Sequence, residues 1–188
     1  MDINGLKGRI AEALVEGILR RAGYQVAMAG RESQAQRLLK VGHDEYLPDF
    51  LVWKTIEQSD HAWPSYRVAG VEVKYRSNLA HYLQQRFSAE FSEVVTRWPE
   101  LYFIFVTDNP EPGRSCFQAV AVPAATGQDP VTTVDLHALE RLDIHRKTVE
   151  EYENLVRMIF PVLGSSREAP RRPSVRVGAT SAPIQLAR

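Results

Sequence analysis

The chain has 188 residues, of which 44% are hydrophobic and 24% are charged, a balance typical of a folded protein rather than a disordered one. Its 23 basic and 23 acidic residues cancel, which argues against a protein that coats nucleic acid through its overall field but allows a local phosphate-binding patch. No apolar run approaches the roughly 18 residues that span a bilayer, and the N-terminus lacks signal-peptide features, so we expect a cytoplasmic protein without a membrane partner.

The first half of the chain predicts one helix followed by three strands. Apolar residues recur at helical spacing over residues 5–22, where Asn4 can cap the start and Gly23 can take the left-handed turn at the end. The polar segment 30–46 is ambiguous, with a short helix around residues 33–39 as one interpretation. Short apolar or alternating stretches predict three strands, at residues 24–28, 49–54 and 67–75.

The second half predicts two longer helices with two strands between them. Apolar residues mark one face of a helix over residues 79–98, and Pro99 ends it. The continuous apolar run at 101–107 is typical of a strand covered on both faces. The remaining predicted elements are a strand at 116–122 that buries the inert thiol of Cys116, a short element around 131–141, and a helix at 145–163.

This order of elements predicts an α/β domain over residues 1–163, with a mixed central sheet flanked by helices. The remaining residues, 164–188, contain five arginines and three prolines but little periodic apolar sequence. We expect them to form a basic, disordered tail, which is either a phosphate-seeking arm or simply a solvated end.

The most informative residues lie on two neighbouring predicted strands, in the stretches YLPDFLVW (46–53) and GVEVKYR (70–76). Strand alternation puts Glu72 and Lys74 on one face and Val73 on the other. If the Asp49 strand lies alongside, two carboxylates and an ammonium group converge. Carboxylate oxygens suit Mg²⁺, and the Val73 carbonyl can add another oxygen. Lys74 can then orient or deprotonate a water that attacks a phosphodiester, or contact a phosphate oxygen.

This pattern resembles the PD-(D/E)xK nuclease superfamily, which has the restriction-endonuclease-like fold. The resemblance is carried by Pro48-Asp49 and by Glu72-Val73-Lys74, together with a matching order of helix, three strands, helix and further strand. The segment KGRIAE at residues 7–12 is also similar to the first helix of Holliday-junction resolvases, which carries a glutamate near the site.

The resemblance implies a three-layer core and a DNA-cutting enzyme that uses Mg²⁺, with Mn²⁺ as a substitute. It implies that Asp49 and Glu72 are metal ligands, that Lys74 is the catalytic lysine, and that Glu12 supports the metal or its water shell. Because cutting two strands often uses two active sites, a homodimer is a further expectation.

Three more side chains are candidates for nucleic-acid contacts near the cleft. Arg76 and Arg86 can contact phosphates, with plain surface charge as the alternative. In some relatives a glutamine on the helix after the catalytic strand contacts the site, which points to Gln84; a polar helix face is the alternative.

Each site residue also has an interpretation without chemistry. Glu72 and Lys74 can form a solvated face of an edge strand, Asp49 can be a turn residue after Pro48, and Glu12 can belong to a charged helix surface. A nuclease-fold module that has lost activity and binds nucleic acid or a partner protein is therefore the alternative function. An α/β interaction domain is a third possibility if Glu72 and Lys74 lie far from Asp49.

Overall fold

The computed structural model describes residues 2–29, 47–56, 65–85, 98, 100–121 and 131–165. The helices and strands in chain order are α1 Ile3–Arg21, β1 Gln25–Met28, β2 Phe50–Ile56, β3 Ser65–Tyr75, α2 Leu79–Gln85, β4 Leu101–Val106, β5 Phe117–Ala121, β6 Val134–Asp135 and α3 Arg146–Ser165. Two short 3₁₀ turns, Leu136–Ala138 and Glu140–Leu142, lie between β6 and α3.

The six strands form a single mixed sheet in the order β1-β2-β3-β4-β5-β6. Neighbouring strands are antiparallel except β3 and β4, which are parallel. A parallel pair needs a crossover connection, and α2 lies in the connection between these two strands. The predicted α/β architecture with a mixed sheet flanked by helices is confirmed at this level.

Helices cover both faces of the sheet, which gives three layers. On one face, α1 and α3 pack on a large buried cluster that includes Val71, Val73 and Tyr75 of β3. On the other face, α2 packs on a smaller cluster that includes Phe103 and Phe105 of β4. Every residue of β4 is buried, as its continuous apolar sequence predicts.

Some boundaries differ from the prediction. Asp2, rather than Asn4, caps α1, because its carboxylate accepts the backbone N–H of Asn4 at 3.0 Å. Gly23 has φ +87°, which confirms the predicted left-handed end of the helix. Asp49 lies just before β2 rather than within it.

The predicted last helix, at residues 145–163, corresponds to α3, which ends at Ser165. Three predictions lie outside the described residues: the predicted tail beyond Ser165, the helix at 33–39, and the predicted helix 79–98 beyond Gln85. Of that last stretch, only Trp98 is described. Within the described ranges, no helix is long and apolar enough to cross a membrane.

Candidate functional site

The register between β2 and β3 brings two carboxylates opposite each other. Phe50 pairs with Val71, so the same register, continued by one residue, places Asp49 opposite Glu72. Cross-strand partners project from the same face of a sheet. The Asp49 carboxylate also accepts a 2.7 Å hydrogen bond from the backbone N–H of Val73. Asp49 is therefore held directly beside the Glu72-Val73-Lys74 segment.

Lys74 completes this cluster on the same face of β3. Its Nζ lies 3.3 Å from Glu72 Oε1, and the two side chains are only 19% and 13% exposed. β3 is an interior strand, with β2 on one side and β4 on the other. Glu72 and Lys74 therefore do not lie on a solvated face of an edge strand.

Burial shifts the pKa of the Asp49 carboxyl. It raises the pKa of the Asp49 carboxyl above its ordinary value of 3.8, although the Val73 N–H and the Lys74 charge act in the opposite direction. Desolvation is therefore the larger effect on this carboxylate. A cation bound beside it would offset that cost, because an opposite charge favours the ionised form.

Pro48 affects the neighbouring backbone oxygen. The N–H groups of Gly70 and Arg76 donate toward β4, so the alternate residue Val73 directs its N–H and C=O toward β2. Continuing the register pairs Val73 with Pro48, which has no N–H to donate. The Val73 carbonyl therefore receives no ladder hydrogen bond from Pro48, and it belongs to the residue whose N–H the Asp49 carboxylate accepts.

These oxygens constitute a possible metal-binding set. No group of three or more His, Cys, Asp and Glu side chains suited to a metal occurs in the part of the chain that the structure describes. Two carboxylates and a backbone carbonyl nevertheless fit Mg²⁺, which takes oxygen ligands and usually keeps several waters. They do not fit a structural zinc site, which has four protein ligands, commonly cysteine and histidine.

Arg76 directly follows β3, two residues beyond Lys74. Its guanidinium stacks over the Tyr82 ring at 4.2 Å and donates to the Tyr75 carbonyl at 2.7 Å. These contacts hold a half-buried cation close to Lys74. Gln84 is exposed on α2, and Arg86 lies outside the described residues.

Glu12 occupies a different layer from the cluster. It is half-buried on α1, and the buried face of that helix packs against the sheet face opposite to Glu72 and Lys74. Its role as a secondary acid stays a prediction.

A second polar cluster was not predicted from the sequence. Lys7 donates to Asp108 at 2.7 Å and to the Tyr75 hydroxyl at 3.1 Å, and Tyr75 donates to Asp108 at 2.9 Å. Burial tends to lower the pKa of Lys7, but the bonds to Asp108 and Tyr75 outweigh this effect and raise it. Of these three residues, the sequence analysis singled out only Lys7, as the first residue of the KGRIAE segment. Residues 7, 75 and 108 are far apart in sequence and meet only in the folded chain, so no local pattern indicated the cluster.

In comparisons with known proteins, the chain matches no family model, no curated protein and no solved structure. Its function must therefore be inferred from the residues and their geometry.

Proposed function

We propose that this protein is a Mg²⁺-dependent nuclease of the PD-(D/E)xK type that hydrolyses phosphodiester bonds in DNA without tight sequence specificity. The observation that carries the proposal is the meeting of Asp49, Glu72 and Lys74 at one point of an interior strand pair. The two carboxylates and one ammonium group carry one net negative charge among them at low exposure, which a bound cation would offset, and such clusters are concentrated at functional sites.

The architecture is compatible with the restriction-endonuclease-like core. In that interpretation, α1 precedes three antiparallel strands, and α2 lies in the crossover from β3 to the parallel strand β4. Asp49 then lies at the entrance to the second strand, and Glu72 and Lys74 lie on the third, an arrangement compatible with the resemblance to this superfamily.

Each group has a separate task in the proposed reaction. Asp49, Glu72 and the Val73 carbonyl would hold the ion, with Glu12 as a secondary acid. A bound Mg²⁺ supplies positive charge that stabilises the phosphate in the transition state and lowers the pKa of a water. Lys74 donates hydrogen bonds to the attacking water or to a phosphate oxygen.

Arg76 holds an adjacent phosphate in this proposal, because its guanidinium is already fixed against Tyr82. Water adds to phosphorus and one P–O ester bond breaks, so the products are a phosphate monoester end and a free hydroxyl end. A homodimer would supply two such sites for the two strands of a duplex.

A cleavage assay tests the proposal. Wild type, Lys74→Ala and the matched control Lys54→Ala are incubated with supercoiled plasmid, single-stranded DNA and a four-way junction, each with Mg²⁺, Mn²⁺ or EDTA. Lys54 is a suitable control because it lies on β2 and pairs at 3.2 Å with Asp143, away from the cluster.

We expect metal-dependent cutting by wild type and Lys54→Ala, and a loss of about 100-fold or more in Lys74→Ala. Cutting by Lys74→Ala at the wild-type rate would exclude this mechanism. Binding to DNA without any cutting would favour the inactive, nucleic-acid-binding alternative instead.

A further inference from the structure

A cleft of about 500 Å³ opens between the start of α2 and the segments that flank β5. Gln118 of β5 lines it and pairs across the sheet with Phe105, which in turn pairs with Lys74. Cross-strand partners share a face, so the cleft lies on the same face of the sheet as Lys74. Two strand spacings separate Lys74 from Gln118, a distance of about 10 Å.

The lining of the cleft combines neutral hydrogen-bonding groups with apolar walls and includes two charged side chains, Glu111 and Arg114. Leu79 and Leu83 of α2 and Val131 form apolar parts of the lining. The neutral polar groups are hydroxyl and amide side chains, mainly Ser77, Asn78, Gln84, Thr107, Asn109 and Thr133. A cavity of this size, with apolar walls and a few polar groups, is typical of a small-molecule or nucleotide-sized ligand site.

The charges around the cleft argue against a phosphate as its occupant. Arg114 donates to Asp135 at 2.8 Å, so an adjacent carboxylate balances its charge. The Nη2 atom of Arg114 donates to Gln118 and Thr133. Among the described residues, the two N–H groups on Nη1 are left to donate to a neutral acceptor. Arg76, the arginine nearest to Lys74 in sequence, does not line the cleft.

We propose that this cleft takes an unpaired nucleobase with its sugar, from the same strand whose phosphate is held near Lys74. Carbonyl and amino groups on a base edge match the amide, hydroxyl and guanidinium groups of the lining, and the base faces match its apolar walls. One nucleotide unit can bridge the distance between Lys74 and the cleft. This inference rests on the proposed nuclease function and specifies its substrate as DNA with unpaired bases beside the cut, because a paired base must first be extruded at a cost of a few kcal/mol.

The test fills the cleft from two independent walls. Ala80 on α2 and Asn109 after β4 both line it and are exposed, so Ala80→Trp and Asn109→Trp place an indole inside without disturbing the core. Ala13→Trp is the matched control, because Ala13 is exposed on α1 on the other side of the sheet. Thermal melting establishes that all three variants fold.

Two measurements are made on the full-length chain. The first is the cleavage rate with Mg²⁺ on a single-stranded oligonucleotide and on the same sequence in a duplex. The second is the affinity for the single-stranded oligonucleotide in EDTA, by fluorescence anisotropy. We expect wild type and Ala13→Trp to cut the single strand faster, and each filled variant to lower the single-strand to duplex ratio and the affinity by about tenfold or more, which corresponds to one stacked base.

The outcomes separate this inference from the function on which it rests. If wild type cuts DNA but Ala80→Trp and Asn109→Trp keep the wild-type single-strand to duplex ratio and affinity, the cleft assignment alone would be overturned. Wild type that prefers the duplex would do the same. Wild type that neither cuts nor binds any DNA would overturn both proposals.

Discussion

The Asp49 carboxylate accepts the backbone N–H of Val73 at 2.7 Å, which fixes it beside the residue that separates Glu72 from Lys74. This bond crosses from the residue before β2 to the last part of β3, where Pro48 has no N–H to offer to the ladder. Pro48 therefore cannot donate to the Val73 carbonyl, while the Asp49 side chain accepts the Val73 N–H.

Asp49→Asn is expected to weaken Mg²⁺ binding while preserving the fold. The amide oxygen of asparagine can still accept the Val73 N–H, but the anionic oxygen is lost. Changing even an indirect partner of a metal costs about 10- to 100-fold in affinity, so we expect at least that loss in calorimetric titrations with Mg²⁺. Asp143→Asn is the matched control, because its carboxylate is 72% exposed. An unchanged affinity in Asp49→Asn would show that Asp49 is only a turn residue.

Lys7→Met is expected to lower the free energy of unfolding by about 3 kcal/mol, because it leaves the part-buried Asp108 carboxylate without its cation. The Lys7 and Asp108 side chains are only 10% and 18% exposed. Lys54→Met breaks the more exposed pair with Asp143 and should cost about 0–1 kcal/mol. Urea denaturation of both variants measures the difference, and equal losses would contradict a structural role for the Lys7–Asp108 pair.

The buried thiol of Cys116 is expected to make the protein less stable at alkaline pH. Burial raises the pKa of Cys116 from 9.0 to about 11. As the pH rises from 9 toward 11, the unfolded thiol loses its proton while the folded one keeps it. The folded state then binds more protons than the unfolded state, so the free energy of unfolding falls with pH, by about 2–3 kcal/mol in total.

Urea denaturation of wild type and Cys116→Ala across this pH range isolates the contribution of the thiol. The buried tyrosines titrate in both proteins, so their effect cancels in the difference between them. The stability advantage of wild type over Cys116→Ala should shrink as the pH rises. A constant difference would mean that the thiol is not protected by burial.

Two glycines of α1 should respond in opposite directions to the same substitution. A methyl group at Gly17 would come within 2.5 Å of the Tyr152 hydroxyl of α3, whereas nothing lies within 4 Å of one at Gly8. Gly8→Ala should raise the free energy of unfolding by about 0.5–1 kcal/mol, because alanine favours a helix. Gly17→Ala should lower it by about 1–2 kcal/mol, because α1 and α3 must separate slightly. Thermal melting of the two variants tests this, and equal shifts would indicate that Tyr152 moves aside freely.

The sequence by itself determined the elements and their faces. Alternation along GVEVKYR separated Glu72 and Lys74 from Val71, Val73 and Tyr75, and the structure has this division because side chains of a strand alternate by geometry. The apolar run LYFIFV predicted a fully buried strand for the same local reason. These features depend on neighbours in sequence, so local patterns were sufficient.

Only the tertiary structure decided which of these groups meet. The position of Asp49 opposite Glu72 depends on the register of β2 and β3, and the alternation along each strand does not by itself fix which residues pair. The Lys7–Tyr75–Asp108 cluster joins residues 68 and 101 positions from Lys7. The cleft beside β5 is assembled from separate segments in the same way. Contacts of this kind arise from how helices and strands pack, and no local sequence pattern encodes that packing.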